Sequence, residues 1–457
     1  MPSGTRWKLS VMMFLEFFIW GAWLPLIFGY LPSLEFNAQW QQPLILGAFN
    51  IAAVTALFFF TQFADRHFAA ERFVAFSHLV GGLAIMTLPF IAALKLETDV
   101  RFWLFFLAML VHSLFYVPTI SITNSIAFTH VPDPQRDFGL VRLWGTIGWI
   151  AASWPFVFLL ADWDRIPAFP SFSDTNLTTW LEELVHWFGT VLGTSKQGAA
   201  LRQATGYTFI TAGLASLLLA GFSLTLPHTP PRRADMSVER LAWLEAIKYL
   251  RVPAFLLLFI ITFFDAAVHQ TYFFWAGRYL EQAVGIPGNW VMPVMSVGQI
   301  AEIFTMAILG WTLKRLGWRW TMTLGILGHA IRFTAFALWP YPWVAIAANL
   351  LHGICYAFFF ATVYIFVDHY FPKDARSSAQ GLYNVLILGI GPFLGNFAAA
   401  QLGEAYKLPE PQGSLEYKFQ EMLLWPAGVA FTAALVLALF FRPPQTPPSS
   451  SEPEAIR

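Results

Sequence analysis

A single cysteine, Cys355, lies in an apolar run, which excludes an intramolecular disulfide and leaves no basis for a thiolate metal cluster. Charge is scarce too: 12% of residues are charged, with 27 Lys and Arg against 27 Asp and Glu. A soluble domain carries about twice that charged fraction. A chain of zero net charge also lacks the electrostatic footprint of a nucleic-acid partner. Missing as well are a Gly-rich phosphate loop after a strand, an HExxH pair and a Gly-x-Ser-x-Gly elbow. The sequence therefore does not read as an enzyme, and it implies no cofactor and no metal. A cleavable leader is not expected either, because the first apolar run, 9–31, is too long and has no small-residue cleavage site.

What is present is apolar length. Hydrophobic residues make up 57% of the 457, including 47 Phe and 20 Trp, the aromatics that populate lipid-facing and interfacial surfaces. About 20 apolar residues cross a hydrocarbon core, and twelve such runs are readable: 9–31, 43–63, 72–94, 102–126, 138–160, 206–226, 253–277, 290–312, 320–339, 342–367, 378–402 and 422–441. The fold class is an all-α polytopic membrane protein with twelve transmembrane helices in two six-helix pseudo-symmetric bundles. A polar segment at 227–252 with Pro230-Pro231 divides an N-terminal bundle, 1–226, from a C-terminal bundle, 253–441, and the Pro- and Ser-rich tail 442–457 reads as disordered. An even span count puts both termini on one side. The loops and tails there hold 17 Lys and Arg against 8 opposite, with Arg142 and Arg332 inside spans, so both termini are expected in the cytoplasm. The long opposite loop, 161–205, should contain a short amphipathic helix starting near Asp174 or Thr175.

Ionisable groups inside spans are costly and so mark function or a structural partner. Arg142, Thr146 and Trp149 follow at i, i+4 and i+7, placing a cation, a hydroxyl and an aromatic ring on one face of span five. The competing reading is an Arg142 that snorkels to the headgroups. Gln299 and Glu302 share a face of span eight, an amide that donates and accepts beside a carboxylate that accepts. Glu302 could equally form a structural ion pair with Arg142 or Arg332. Glu16 is the lone charge of the apolar run 9–31, where a carboxyl holds a proton cheaply. Asp265 and His269, at i and i+4 in span seven, could share a proton. These, with Glu302, are the proton-carrying candidates, Glu16 first. His112, His329 and His352 read as structural, and Arg332 as a bundle anchor.

The runs FLEFFIWGAWL (14–24), YVPTISITNSI (116–126), RLWGTIGW (142–149), GQIAEI (298–303) and SSAQGLYN (377–384) resemble the nucleoside:proton symporter family of the major facilitator superfamily. The resemblance implies a major facilitator fold with the family's cation and hydroxyl on Arg142 and Thr146, and its aromatic position on Trp149. It places the glutamine of the seventh span on Gln270, with Phe273 where an asparagine is expected. The Gln-x-x-Glu of the eighth falls on Gln299 and Glu302, while an acid of the tenth falls near Ala357, where this chain has none. Asp65-Arg66 is similar to the superfamily's gating loop between spans two and three.

The function expected on these grounds is secondary active import of nucleosides by proton symport and alternating access, across the cytoplasmic (inner) membrane. The expected partners are a nucleoside or similar small polar solute, protons and the lipid bilayer, with no nucleic acid, and the chain is expected to act as a monomer. The alternatives are a sugar or other small polar solute carrier or uniporter on the same fold, and a transport-dead nutrient sensor.

Overall fold

Helices form wherever the apolar runs permit, because in hydrocarbon a backbone must satisfy its own hydrogen bonds. The structure is a computed structural model that describes residues 3–36, 39–56, 68–132, 134–172, 176–231, 247–371 and 376–444. Among these, nine helices are long and apolar enough to cross a membrane. One of them, Val291–Leu338, is two spans joined at Gly317, whose φ of 71° is a left-handed value that favours glycine. Gln41–Thr55 supplies the second span and Pro134–Ser153, polar in its first turns, the fifth. The total is twelve.

In chain order the spans are Ser3–Tyr30, Gln41–Thr55, Ala70–Ala93, Thr98–His130, Pro134–Ser153, Gly198–Ser223, Pro253–Gln282, the two limbs of Val291–Leu338, Pro342–Tyr370, 376–405 and Phe419–Phe440. Span three packs on four and six, span one on five and six, and span two on four, which closes the N-terminal bundle. In the other half, span seven packs on eleven and twelve, and the Val291–Leu338 pair packs on ten and twelve. The halves meet along spans one and seven, two and eleven, and five and eight. Large apolar side chains such as Phe304, Trp311 and Trp343 remain exposed on the outer faces, where lipid would cover them.

Several boundaries differ from the sequence reading. Span five stops at Ser153 rather than running to 160, because Pro155 cannot donate to the ladder, and one turn resumes at Phe156–Leu159. Span six begins at Gly198, eight residues before the apolar run, with exposed Arg202 and Gln203 in its first turns. The loop helix is Leu177–Gly193, capped by Asn176, whose side chain accepts the Thr179 N–H at 2.9 Å. Asp174 and Thr175 lie outside the described residues, as do the central segment 232–246 and the tail from 445. Between spans eleven and twelve the chain forms an unforeseen antiparallel hairpin, Lys407–Gln412 with Leu415–Tyr417. Spans ten and eleven each contain a π-helical stretch, Tyr356–Ala361 and Val385–Ile390, a feature that recurs at functional sites.

The halves are pinned at the end away from the termini. Arg278 donates to Phe28 O at 3.0 Å and to Gln42 Oε1 at 3.2 Å. Asn289 donates to Val157 O and Leu192 O, both at 3.2 Å, and the Trp290 indole donates to Leu192 O at 2.6 Å. Gln401 donates to Gln39 Oε1 at 3.1 Å.

Candidate substrate site

Span five lies against span eight, so the Arg142 face looks toward Glu302. Arg142 is half-buried, its guanidinium 3.9 Å above the Phe17 ring, and its Nη1 is buried without a hydrogen bond. It does not snorkel. Trp149 is buried and meets Trp20 edge-on at 5.2 Å, and Trp20 stacks on Phe49 at 4.8 Å. Spans one, two and five thus build an aromatic wall, with half-buried Thr146 between the cation and Trp149.

Opposite, Glu302 is half-buried and close enough to Arg142 and Tyr356 to interact electrostatically with both. Among the described ion pairs none joins Glu302 to Arg142 or to Arg332. Gly353 lets span ten approach here: a Cβ on it would lie 2.5 Å from the Glu302 backbone nitrogen. Gln299 is buried, with its amide 3.4 Å from His352 Nε2 and its Oε1 unpartnered. Phe273, half-buried, stands edge-on to His352 at 5.7 Å. One turn earlier, Gln270 donates to Asn396 Oδ1 at 2.8 Å, Asn396 donates to Asn50 Oδ1 at 3.4 Å, and Asn50 donates to Leu388 O at 2.8 Å. Gln270 therefore belongs to an amide ladder that ties spans seven and eleven to span two.

The structure places the proton candidates in different surroundings. Glu16 is fully buried but not solitary: its Oε2 lies 2.9 Å from His78 Nε2 and its Oε1 accepts from Thr119 at 2.8 Å. These partners, with Tyr116 donating to Glu16 O at 2.6 Å and Ser216 at 2.9 Å from His78 Nδ1, belong to spans three, four and six. The set is internal to the N-terminal bundle. No hydrogen bond or ion pair among the described contacts joins Asp265 to His269. Asp265 turns toward span nine, with Oδ1 3.8 Å from His329 Nε2, and neither of its oxygens has a hydrogen bond. His269 packs among His329, His352, Phe273 and Phe360, and its Nδ1 is unpartnered. Ala357, in the π stretch, is buried against Leu309 and Phe358. Asp65 and Arg66 lie outside the described residues.

Three histidines need separate treatment. His112 donates its Nδ1–H to Gly81 O at 2.9 Å and is structural. His329 and His352, by contrast, flank the fully buried Arg332 next to Gln299. The sequence reading also missed Trp20, Asn50, Tyr356 and Asn396. Each is a polar or amphipathic side chain in an apolar helix, and that was the available signal.

Two six-helix halves, joined along three pairs of spans and enclosing an unpaired cation and carboxylate, define a secondary transporter of the major facilitator type. The profile of the family described as Nucleoside H+ symporter matches residues 3–169 and 186–446. The chain belongs to that family: it is a proton-coupled nucleoside transporter and not an enzyme. It is 32% identical over 451 residues to YegT, a candidate nucleoside transporter of Escherichia coli (strain K12), covering 96% of this chain and 94% of that one. To the xanthosine permease of the same organism it is 25% identical over 453 residues, 95% of each chain. A crystal structure of the nucleoside transporter NupG superposes with a TM-score of 0.73 at 22% identity, covering 97% of this chain and all of the other, which shows the shared fold. The family profile skips 170–185, part of the long loop.

Proposed function

We propose that the protein imports neutral nucleosides with protons across the cytoplasmic membrane, and that Arg142, Thr146, Trp149, Phe273, Gln299 and Glu302 hold the substrate. The observation that carries this reading is the pairing of Arg142 with Glu302 across spans five and eight without an ion pair. One cation and one carboxylate, each with unused hydrogen-bonding capacity, suit an uncharged solute rich in donors and acceptors. A nucleotide would add anionic charge beside Glu302 without a second cation to meet it. The rings of Trp149 and Trp20, with Phe273 opposite, offer stacking surfaces for a base. Glu302 accepts from ribose hydroxyls, and Gln299 both donates and accepts. Gln270 acts indirectly, through the amide ladder that joins the halves.

The excess of Lys and Arg on the side of the termini supports a cytoplasmic position for both. On that orientation the pinned end faces outward. One chain contains both halves of the site, so a monomer suffices. Labelled nucleosides offered to proteoliposomes with an inwardly directed proton gradient test the reading. Accumulation of nucleosides is expected, with competition by other nucleosides and none by nucleoside monophosphates or hexoses. Competition by hexoses alone would replace the substrate class.

A further inference from the structure

Behind Gln299, the C-terminal half contains a buried charge system with one acid. Arg332 is fully buried; its Nη2 lies 2.9 Å from His329 Nδ1, its Nη1 lies 3.1 Å from His352 Nδ1, and its guanidinium sits 3.7 Å above the Tyr272 ring. A guanidinium only donates. Both Nδ1 atoms must therefore accept, so both imidazoles are neutral with their proton on Nε2. That fixes two directions. The His329 Nε2–H faces Asp265 Oδ1 at 3.8 Å, and the His352 Nε2–H faces the Gln299 amide at 3.4 Å. An N–H needs an acceptor, so the Gln299 amide is turned with Oε1 toward His352, an orientation that differs from its alternative only by a 180° rotation. Its NH2 is then free to donate to a ligand.

A cation in the membrane interior requires a counter-charge. Asp265 lies close enough to Arg332 to interact with it electrostatically without an ion pair, and it is 1% exposed with both oxygens free of hydrogen bonds. The groups facing it are His329 and Arg332 from span nine, Cys355 from span ten, and His269 one turn on in its own helix. Spans eleven and twelve carry Glu404 and Glu421 in their outermost turns, remote from this level.

We infer that Asp265 is the proton-carrying residue of the transport cycle, and that His329, Arg332 and His352 connect it to the substrate-facing Gln299. The inference rests on the reading of the chain as a proton-coupled nucleoside transporter. On the acidic side a hydronium O–H bond breaks as an O–H bond to an Asp265 carboxylate oxygen forms, and on the other side that bond breaks as the proton returns to water; no other bond changes. With Asp265 ionised the cluster is electrically neutral, and with Asp265 protonated it carries the uncompensated charge of Arg332. The two states hold the guanidinium differently, and with it the His352 ring on which the Gln299 amide rests. By linkage, a nucleoside that favours one amide position favours one protonation state of Asp265, and the reverse holds equally.

The test uses the full chain in proteoliposomes, comparing Asp265→Asn, Asp265→Glu and Glu16→Gln with the wild type in gradient-driven accumulation and in nucleoside exchange without a gradient. Asp265→Asn should lose accumulation while exchange continues, and its nucleoside affinity in detergent should no longer vary with pH. Asp265→Glu should restore part of both. Accumulation by Asp265→Asn at the wild-type level overturns the inference, as does loss of accumulation in Glu16→Gln alone. Exchange without accumulation in the wild type would remove the proton coupling itself, and absence of exchange would remove the nucleoside reading. Should Asp265→Asn fail to fold, a carbodiimide that modifies protonated carboxyls in apolar surroundings is applied to the wild type and the adduct is mapped. Nucleoside-sensitive labelling of Asp265 supports the assignment, and labelling confined to Glu16 or Glu302 refutes it.

Discussion

Glu302 and Arg142 sit near one another unpaired because each is positioned by a different half: Arg142 rides on span five and Glu302 on span eight. Removal of the carboxylate in Glu302→Ala should weaken nucleoside binding by about 1.5–3 kcal/mol, the range for hydrogen bonds to a charged group. Glu302→Gln, which keeps the shape, should lose less; calorimetric titration of the purified variants with a nucleoside measures both, and unchanged affinity in a folded Ala variant would reject the contact. Glu16 calls for a different expectation. Its carboxyl holds His78 of span three and Thr119 of span four inside the N-terminal bundle. Glu16→Ala strands those partners and should lower stability by roughly 1–3 kcal/mol, seen as a lower melting temperature in detergent. An unchanged melting temperature would show that the network contributes nothing to the bundle.

Among the elements, the contact of spans eight and ten depends on Gly353. An added Cβ would meet the Ala301 carbonyl carbon and the Glu302 nitrogen at 2.5 Å each, and both are backbone atoms that cannot swing aside. Gly353→Ala should therefore separate the two spans at the level of Glu302, at a cost of about 1–3 kcal/mol for overpacking. Weaker nucleoside binding with Arg142 and Glu302 intact would be the signature, and wild-type affinity would show that span ten tolerates the shift. The loop helix Leu177–Gly193 has a mechanical part at its far end, where Leu192 O accepts from both Asn289 and Trp290. The periodicity of TNLTTWLEELVHWFGTVL made that helix legible. Its docking on the start of span eight was not, because a backbone carbonyl leaves no mark in a sequence.

At the level of the whole molecule, alternating access requires that the pinned end open. Deeper in the membrane Asn50 also joins the halves, donating to Leu388 O at 2.8 Å. Asn50→Ala removes a bond that must break when the halves separate there, so it should shift the equilibrium toward the state in which they are apart by ~1 kcal/mol, about fivefold in the ratio of states. Cys355 is fully buried, so paired cysteines introduced at exposed positions near Gln39 and Gln401 can be spin-labelled with little background. Longer distances in Asn50→Ala than in the parent would confirm the shift, and identical distributions would show that this bond does not hold the halves together.

The sequence by itself determined the membrane class, the twelve spans and the division into halves, because hydrocarbon imposes a length and polarity rule on each segment that local composition satisfies or fails. It also singled out Arg142, Gln299 and Glu302, since a polar group in an apolar run stands out against its neighbours. Tertiary structure decided which of those groups meet. The apolar run 9–31 holds no charge besides Glu16, yet His78 reaches it from 62 residues away. Asp265 was matched with His269 by helical spacing, but the side chain turns to His329 on another span. His329 and His352 flank Arg332, and Gln270 donates to Asn396 on span eleven, pairings that no single segment announces. Partners of this kind come from helices that pack only after each has formed, so the pairing is a property of the bundle and is not written in any one segment.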